Sequence, residues 1–121
     1  MIPLDRGTFR DWLDTYEQAW ESGDADAVTA LFAPDATYHP TPFATPLRGR
    51  KAIHRYWQET TTGQTSATVD ASAELVGRDR GVAHVTASFV RDGDPIEVDG
   101  MLSARFAAGD CVELREWPHT R

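Results

Sequence analysis

An acid set in an apolar row is the first feature of this 121-residue chain that invites chemistry. In the closing stretch Val112, Leu114 and Glu116 fall on one face of a predicted strand, so Glu116 shares its side with two aliphatic residues. A carboxyl group facing apolar surroundings loses hydration. Its pKa rises towards neutrality, where it can accept or give a proton. The structural alternative is an ion pair with Arg48 or Arg50 at the mouth of the fold. Tyr16 lies on the apolar face of a predicted helix. Its hydroxyl can donate to a developing oxyanion, or simply find an internal acceptor as buried tyrosines do. Tyr38 and His39 are neighbours in an extended piece, and alternation lets only one of them point inward. An inward His39 would be a general base near pH 7.

Metal and cofactor chemistry find no support in the spacing. The four histidines (His39, His54, His84, His119) form no H-x-H or H-x-x-x-H pair, and Cys111 is the single cysteine. There is no Gly-rich phosphate loop and no serine nucleophile motif. Neither a metal nor a cofactor is expected. His54, His84 and His119 are expected in solvent, and Cys111 to act as a small apolar filler.

The elements that must position these residues follow from hydrophobic period. Thr8 to Ser22 predicts a helix with Phe9, Trp12, Leu13, Tyr16 and Trp20 on one face, opened by Thr8 and Asp11 and stopped by Gly23. Asp24 caps a second helix that carries Ala27, Val28, Leu31 and Phe32 and is closed by Pro34. Asp35 to His39 is extended, and Pro40, Pro42 and Pro46 keep the next stretch irregular. A third helix runs from about Gly49 to Thr60.

From Thr65 the period becomes two. Ala67, Val69, Ala71, Ala73 and Leu75 face inward on the first long strand, and Ala83, Val85, Ala87 and Phe89 on the second. Asp92-Gly93 is a hairpin turn, and Val98, Gly100, Leu102, Ala104 and Phe106 continue the pattern. Four strands with short turns form an antiparallel meander with one apolar face. Small inward residues opposite large helical ones predict a hollow suited to a small molecule. Its wall is expected from Trp20, Phe32, Tyr38 and Phe43, together with Tyr56, Trp57, Leu102 and Leu114. The fold class is α+β: three N-terminal helices on a curved antiparallel sheet, residues 1–121 forming one domain.

A net charge of −7 disfavours nucleic acid and anionic membrane surfaces as partners. No apolar run approaches a bilayer span and the N-terminus lacks a signal-peptide core, so a cytoplasmic location is expected.

The run ESGDADAVTALFAPDATYHP, followed by RGRKAI and a closing VELREW, resembles the nuclear transport factor 2-like superfamily, in particular its SnoaL-like branch. The resemblance spans nearly the whole chain. It implies a cone-shaped fold and a homodimer paired through the outer sheet face. For activity it implies cyclase, ketosteroid isomerase, dehydratase or epoxide hydrolase chemistry, or a non-catalytic binding or dimerisation module. Tyr16 matches the oxyanion donor of the steroid isomerases, whereas their base position holds Pro40 and their second donor position holds Leu102. Glu116 matches the final-strand acid of the cyclases and epoxide hydrolases. The Arg-Asp pair of the latter is replaced by Ala83, Val85 and Ala87. The expectation is a cofactor-free acid-base enzyme acting on an apolar, oxygen-bearing metabolite, with Glu116, Tyr16 and His39 as candidate catalytic residues.

Overall fold

A computed structural model describes residues 2–121. Helix α1 (Arg6–Ser22) begins two residues before the predicted start, because Asp5 rather than Thr8 is its cap. Asp5 is extended, and its carboxylate accepts from the Thr8 backbone N–H at 2.7 Å. Gly23 ends the helix at φ 67, a conformation that disfavours a side chain. Asp24 then accepts from Ala27 N–H at 3.0 Å and caps α2 (Ala25–Thr29).

The sequence expectation fails just beyond this point. Helix α2 stops at Thr29, and Phe32 and Pro34 belong to strand β1 (Phe32–His39). Strand β1 runs parallel to the last strand, and its register shifts between Phe32 and Thr37. Such an irregularity is where a proline, which has no N–H to give, can be accommodated in a sheet.

The remaining elements are β2 (Leu47–Arg48), α3 (Gly49–Thr61), β3 (Gln64–Val76), β4 (Arg80–Arg91), β5 (Asp94–Ala107) and β6 (Asp110–Thr120). Strands β3 to β6 form the meander that the alternation predicts. The sheet order is β2-β1-β6-β5-β4-β3. Because β1 joins β6 in parallel, the sheet is mixed rather than antiparallel throughout. Three helices against this curved, unclosed sheet make the α+β cone.

Helix α1 is tied to the free edge of β3 by its polar side chains. Arg6 and Arg10 donate to the Ala73 and Ala71 carbonyls, while Glu17 and Glu21 accept from the Ala71 and Val69 N–H groups. The open ladder of this edge strand is thus satisfied from within the chain between Val69 and Ala73, which blunts that stretch of the edge. The opposite face of α1 lays its rings on the sheet. Phe9 and Trp12 meet Phe106 edge-on at 6.1 and 5.6 Å, and Trp20 approaches Phe89 at 6.3 Å.

The inward alanines and glycines therefore admit aromatic rings and backbone where the sequence predicts a hollow. A Cβ on Gly81 would stand 2.6 Å from the Phe9 ring. One on Gly100 would stand 2.6 Å from the Trp117 carbonyl oxygen and 2.8 Å from Pro118 Cα, both backbone atoms of the neighbouring strand. Gly100→Ala must force β5 and β6 apart. It is expected to lower stability by about 1–3 kcal/mol, read as a lower urea midpoint at unchanged slope. Leu75, predicted inward, is 67% exposed because the β3–β4 register shifts between Ala73 and Leu75, and one residue of slip changes its face.

Candidate active site at the head of the sheet

Three elements converge on Glu116. Strand β6 carries it inward beside Leu114, opposite Leu102 of β5. Strand β1 supplies Tyr38, and its alternation buries Ala36 and Tyr38 while turning His39 outward. Helix α1 supplies Tyr16 from the face that packs on the sheet. The two tyrosines are 0% and 1% exposed.

Both phenols donate to the one carboxyl group. Tyr16 Oη donates to Glu116 Oε2 at 2.5 Å, and Tyr38 Oη donates to Glu116 Oε1. The ion pair considered for Glu116 does not form: Arg50 instead gives two hydrogen bonds, at 2.9 and 2.7 Å, to the Phe32 carbonyl. Burial pushes the Glu116 carboxyl above its ordinary 4.5, while the two phenol hydrogen bonds pull it back. Burial wins. The Tyr16 and Tyr38 hydroxyls are held well above the usual phenol value, first by burial and then by the Glu116 charge. The tyrosines keep their protons, so Glu116 is the group that titrates.

Around this clamp stands an aromatic wall. Trp57 of α3 stacks on Tyr38 at 6.3 Å and meets Tyr16 edge-on at 5.7 Å. Tyr56, half-buried, meets Tyr38 at 5.4 Å. Its hydroxyl is raised by burial and by Glu116, against hydrogen bonding with Thr60 and Tyr38. Phe32 lies 5.9 Å from Tyr38, and Trp20 reaches both Tyr16 and Trp57. Leu102 and Leu114 are buried beneath.

Two residues named from the sequence lie elsewhere. Phe43 is fully exposed on the proline-rich loop, outside the wall. His39 opposes Arg115 on the far side of the sheet. There burial and the charges of Arg115 and Arg48 hold its pKa below the usual imidazole value, with Glu113 opposing. The register of β1 makes Tyr38 the inward member of the pair, so His39 is not brought to Glu116. Of the other histidines, His54 pairs with Asp26 and His84 with Asp99, each at 2.7 Å on the surface. Cys111 is buried and its thiol is pushed up to about 12, a poor nucleophile.

Arg91 was not singled out by the sequence reading, though continuing the alternation past Phe89 places it inward. Its guanidinium lies 5.1 Å from the Phe89 ring centre and donates to the Thr60 carbonyl at 2.7 Å. A second feature lies beyond any sequence pattern. Trp12 and Trp20 place their indole N–H groups on the Leu31 carbonyl and Gln64 Oε1, whereas the buried Trp57 Nε1 has no partner among the described residues.

Size does not mark this site. A groove of about 470 Å³ on the outer sheet face is lined by residues such as Asp70, Glu97, Asp99 and His119. A second, of about 640 Å³, lies between Ile2, Leu4, Arg78 and Phe106. Neither includes Glu116 or its tyrosines. The desolvated carboxyl held by two phenols is the chemically distinctive feature, since an ionised acid there is costly to hold. Among the described residues no cluster of His, Cys, Asp or Glu is arranged to hold a metal ion, and no helix is long and apolar enough to cross a membrane.

Comparison with known proteins adds three findings. The family profile described as the SnoaL-like domain matches residues 12–114. No curated protein matches the chain in sequence. Among solved structures, the epoxide hydrolase/cyclase-like enzyme SalBIII, described for pyran ring formation in the polyether salinomycin, superposes with a TM-score of 0.81. The match is 15% identical and covers 95% of this chain and 93% of that one. A hypothetical protein with a ketosteroid isomerase-like fold from Catenulispora acidiphila DSM 44928, in complex with trimethylamine, superposes with a TM-score of 0.77. It is 19% identical, over 88% of this chain and 83% of its own. At these identities the likeness is one of fold.

Proposed function

The chain belongs to the SnoaL-like domain family, and from that premise we propose that it is a cofactor-free acid-base enzyme acting on an apolar, oxygen-bearing small molecule. The observation that carries the reading is the Tyr16–Glu116–Tyr38 clamp: one buried carboxyl group holding two phenol donors. Glu116 moves the proton. As a carboxylate it accepts from both tyrosines. On taking a proton from substrate it becomes a donor at one oxygen, and the phenol there loses its acceptor. The substrate oxygen on which negative charge has just developed is the replacement acceptor, so proton transfer and oxyanion stabilisation are coupled through one hydrogen-bond exchange. Trp57, Trp20 and Tyr56 exclude water around it.

Cyclisation, isomerisation, dehydration and epoxide opening all use this exchange. The test is incubation with a panel of apolar ketones and epoxides in D2O, following α-proton exchange or ring opening by NMR. Turnover above buffer that disappears in Glu116→Gln supports the reading. A rate equal to buffer across the panel leaves a binding module as the better description.

That second reading, a ligand-holding or dimerising module in the cytoplasm, has its own observation. Met101 and Trp117 stand directly opposite each other on the outer face of β5 and β6, 37% and 43% exposed. Paired apolar side chains on an open sheet face suit a homodimer contact. Trp117→Ser with Met101→Ser is expected to shift the sedimenting species from two chains to one. An unchanged mass removes this face from the interface.

A further inference from the structure

The inner face of the sheet carries an acidic and a basic side chain: Glu116, clamped by phenols, and Arg91, at the end of β4. A guanidinium has five N–H donors in a planar fork. That of Arg91 spends one on the Thr60 carbonyl at the end of α3, and among the described residues no carboxylate lies within ion-pair distance of it. Its Nε is buried without a partner, as is Trp57 Nε1. These two are the orphaned buried side-chain donors among the described residues. Trp57 and Thr60 are one turn apart on α3, and Arg91 binds the carbonyl of the second, so both donors belong to the junction of α3 with the end of β4. Tyr56 packs on Tyr38, and its hydroxyl feels the charges of both Glu116 and Arg91. Glu116, Gly100, Val98, Tyr56 and Arg91 are among the residues of this inner region that keep partial exposure.

Capping α3 explains one of the five donors and leaves the orphaned Nε unexplained. A buried donor without an acceptor is costly, and natural proteins keep few of them. We propose that Arg91 is the anchor for the carboxylate of an apolar acid, with the Trp57 indole donating to an oxygen of the same ligand. This deepens the reading of Glu116 as the proton carrier and rests on it for the reactive end: the ligand reaches from Arg91 towards the tyrosine clamp. The net charge of −7 opposes an anion at long range. Such repulsion is screened beyond about 8 Å at physiological ionic strength, whereas a guanidinium-carboxylate contact is made at hydrogen-bond distance. The local contact decides.

The test uses the full chain with phenylacetate, phenylbutyrate and phenylhexanoate, each against its primary amide, by titration calorimetry with the Trp57 indole N–H followed by NMR. The expected result is an acid that binds roughly 10- to 100-fold more tightly than its amide, with a downfield shift of the Trp57 indole proton. Arg91→Gln is expected to abolish the preference. Arg91→Lys, which keeps the charge and loses the fork, is expected to retain part of it and serves if Arg91→Gln does not fold. Glu116→Gln is expected to keep the preference, so loss of turnover and loss of anchoring are read separately. Equal binding of acid and amide, a preference that survives Arg91→Gln, or no binding of any acid at millimolar concentration overturns the proposal.

Discussion

Glu116→Gln is expected to lower turnover by a factor of about 10²–10⁴, the usual contribution of a positioned acid-base group, while making the protein more stable at neutral pH. The two effects have one cause. The folded-state pKa of Glu116 is raised above its ordinary 4.5 by burial. Between the unfolded and folded values the native state therefore binds more protons than the unfolded state. The contribution of Glu116 to stability is greatest below pH 4.5, falls as pH rises through this window, and levels off above the folded pKa. Each unit by which the pKa is raised corresponds to about 1.4 kcal/mol lost at neutral pH. The amide carries no charge, so the variant lacks this loss, and the difference in stability between the two proteins grows as pH rises through the same window. Urea unfolding at several pH values measures it. A less stable Glu116→Gln protein would make the residue a structural one.

The second large effect concerns the phenols. Tyr16→Phe and Tyr38→Phe each remove a donor from a buried carboxyl and are expected to cost about 1–3 kcal/mol at neutral pH, the range for an unsatisfied buried polar group. Because the two share one acceptor, the double variant is expected to depart from additivity by about 0.5–3 kcal/mol. Both phenol hydrogen bonds hold the Glu116 pKa down, so their loss moves it further up and carries the pH window of instability with it. In a Glu116→Gln background the same two substitutions are expected to cost much less. A double-mutant cycle by urea denaturation measures the coupling, and independent, additive costs would separate the tyrosines from Glu116.

How much of this was legible beforehand depends on the range of the interaction involved. Periodicity found the four long strands, α1 and α3, because each buries one face and the pattern is local. It placed Tyr16 and Glu116 on inward faces for the same reason. It could not see β1 extend back through Pro34, since only the parallel partner β6, distant in sequence, makes Phe32 a strand residue. It misplaced Leu75, because a register shift leaves no mark in the composition of a strand. The choice between Tyr38 and His39 likewise turned on the register of β1 against β6. The inward alanines and Gly100 suggested an open interior, but small residues serve equally where a ring or a strand must come close, as Phe9 and Trp117 do. That Tyr16 and Tyr38 meet on one carboxyl is a three-element contact, 100 and 78 residues from Glu116 along the chain. No local signal encodes it. Arg91 is the exception: the alternation continues to it past Phe89.

The most direct test of a proton-carrying Glu116 is its pKa, by carbon NMR titration of the side-chain carboxyl with Glu116→Gln for assignment. The account predicts a value above the ordinary 4.5 that rises further in Tyr38→Phe. A value at or below 4.5 would mean that the two phenols outweigh burial, leaving a fixed carboxylate that binds tyrosines and carries no proton.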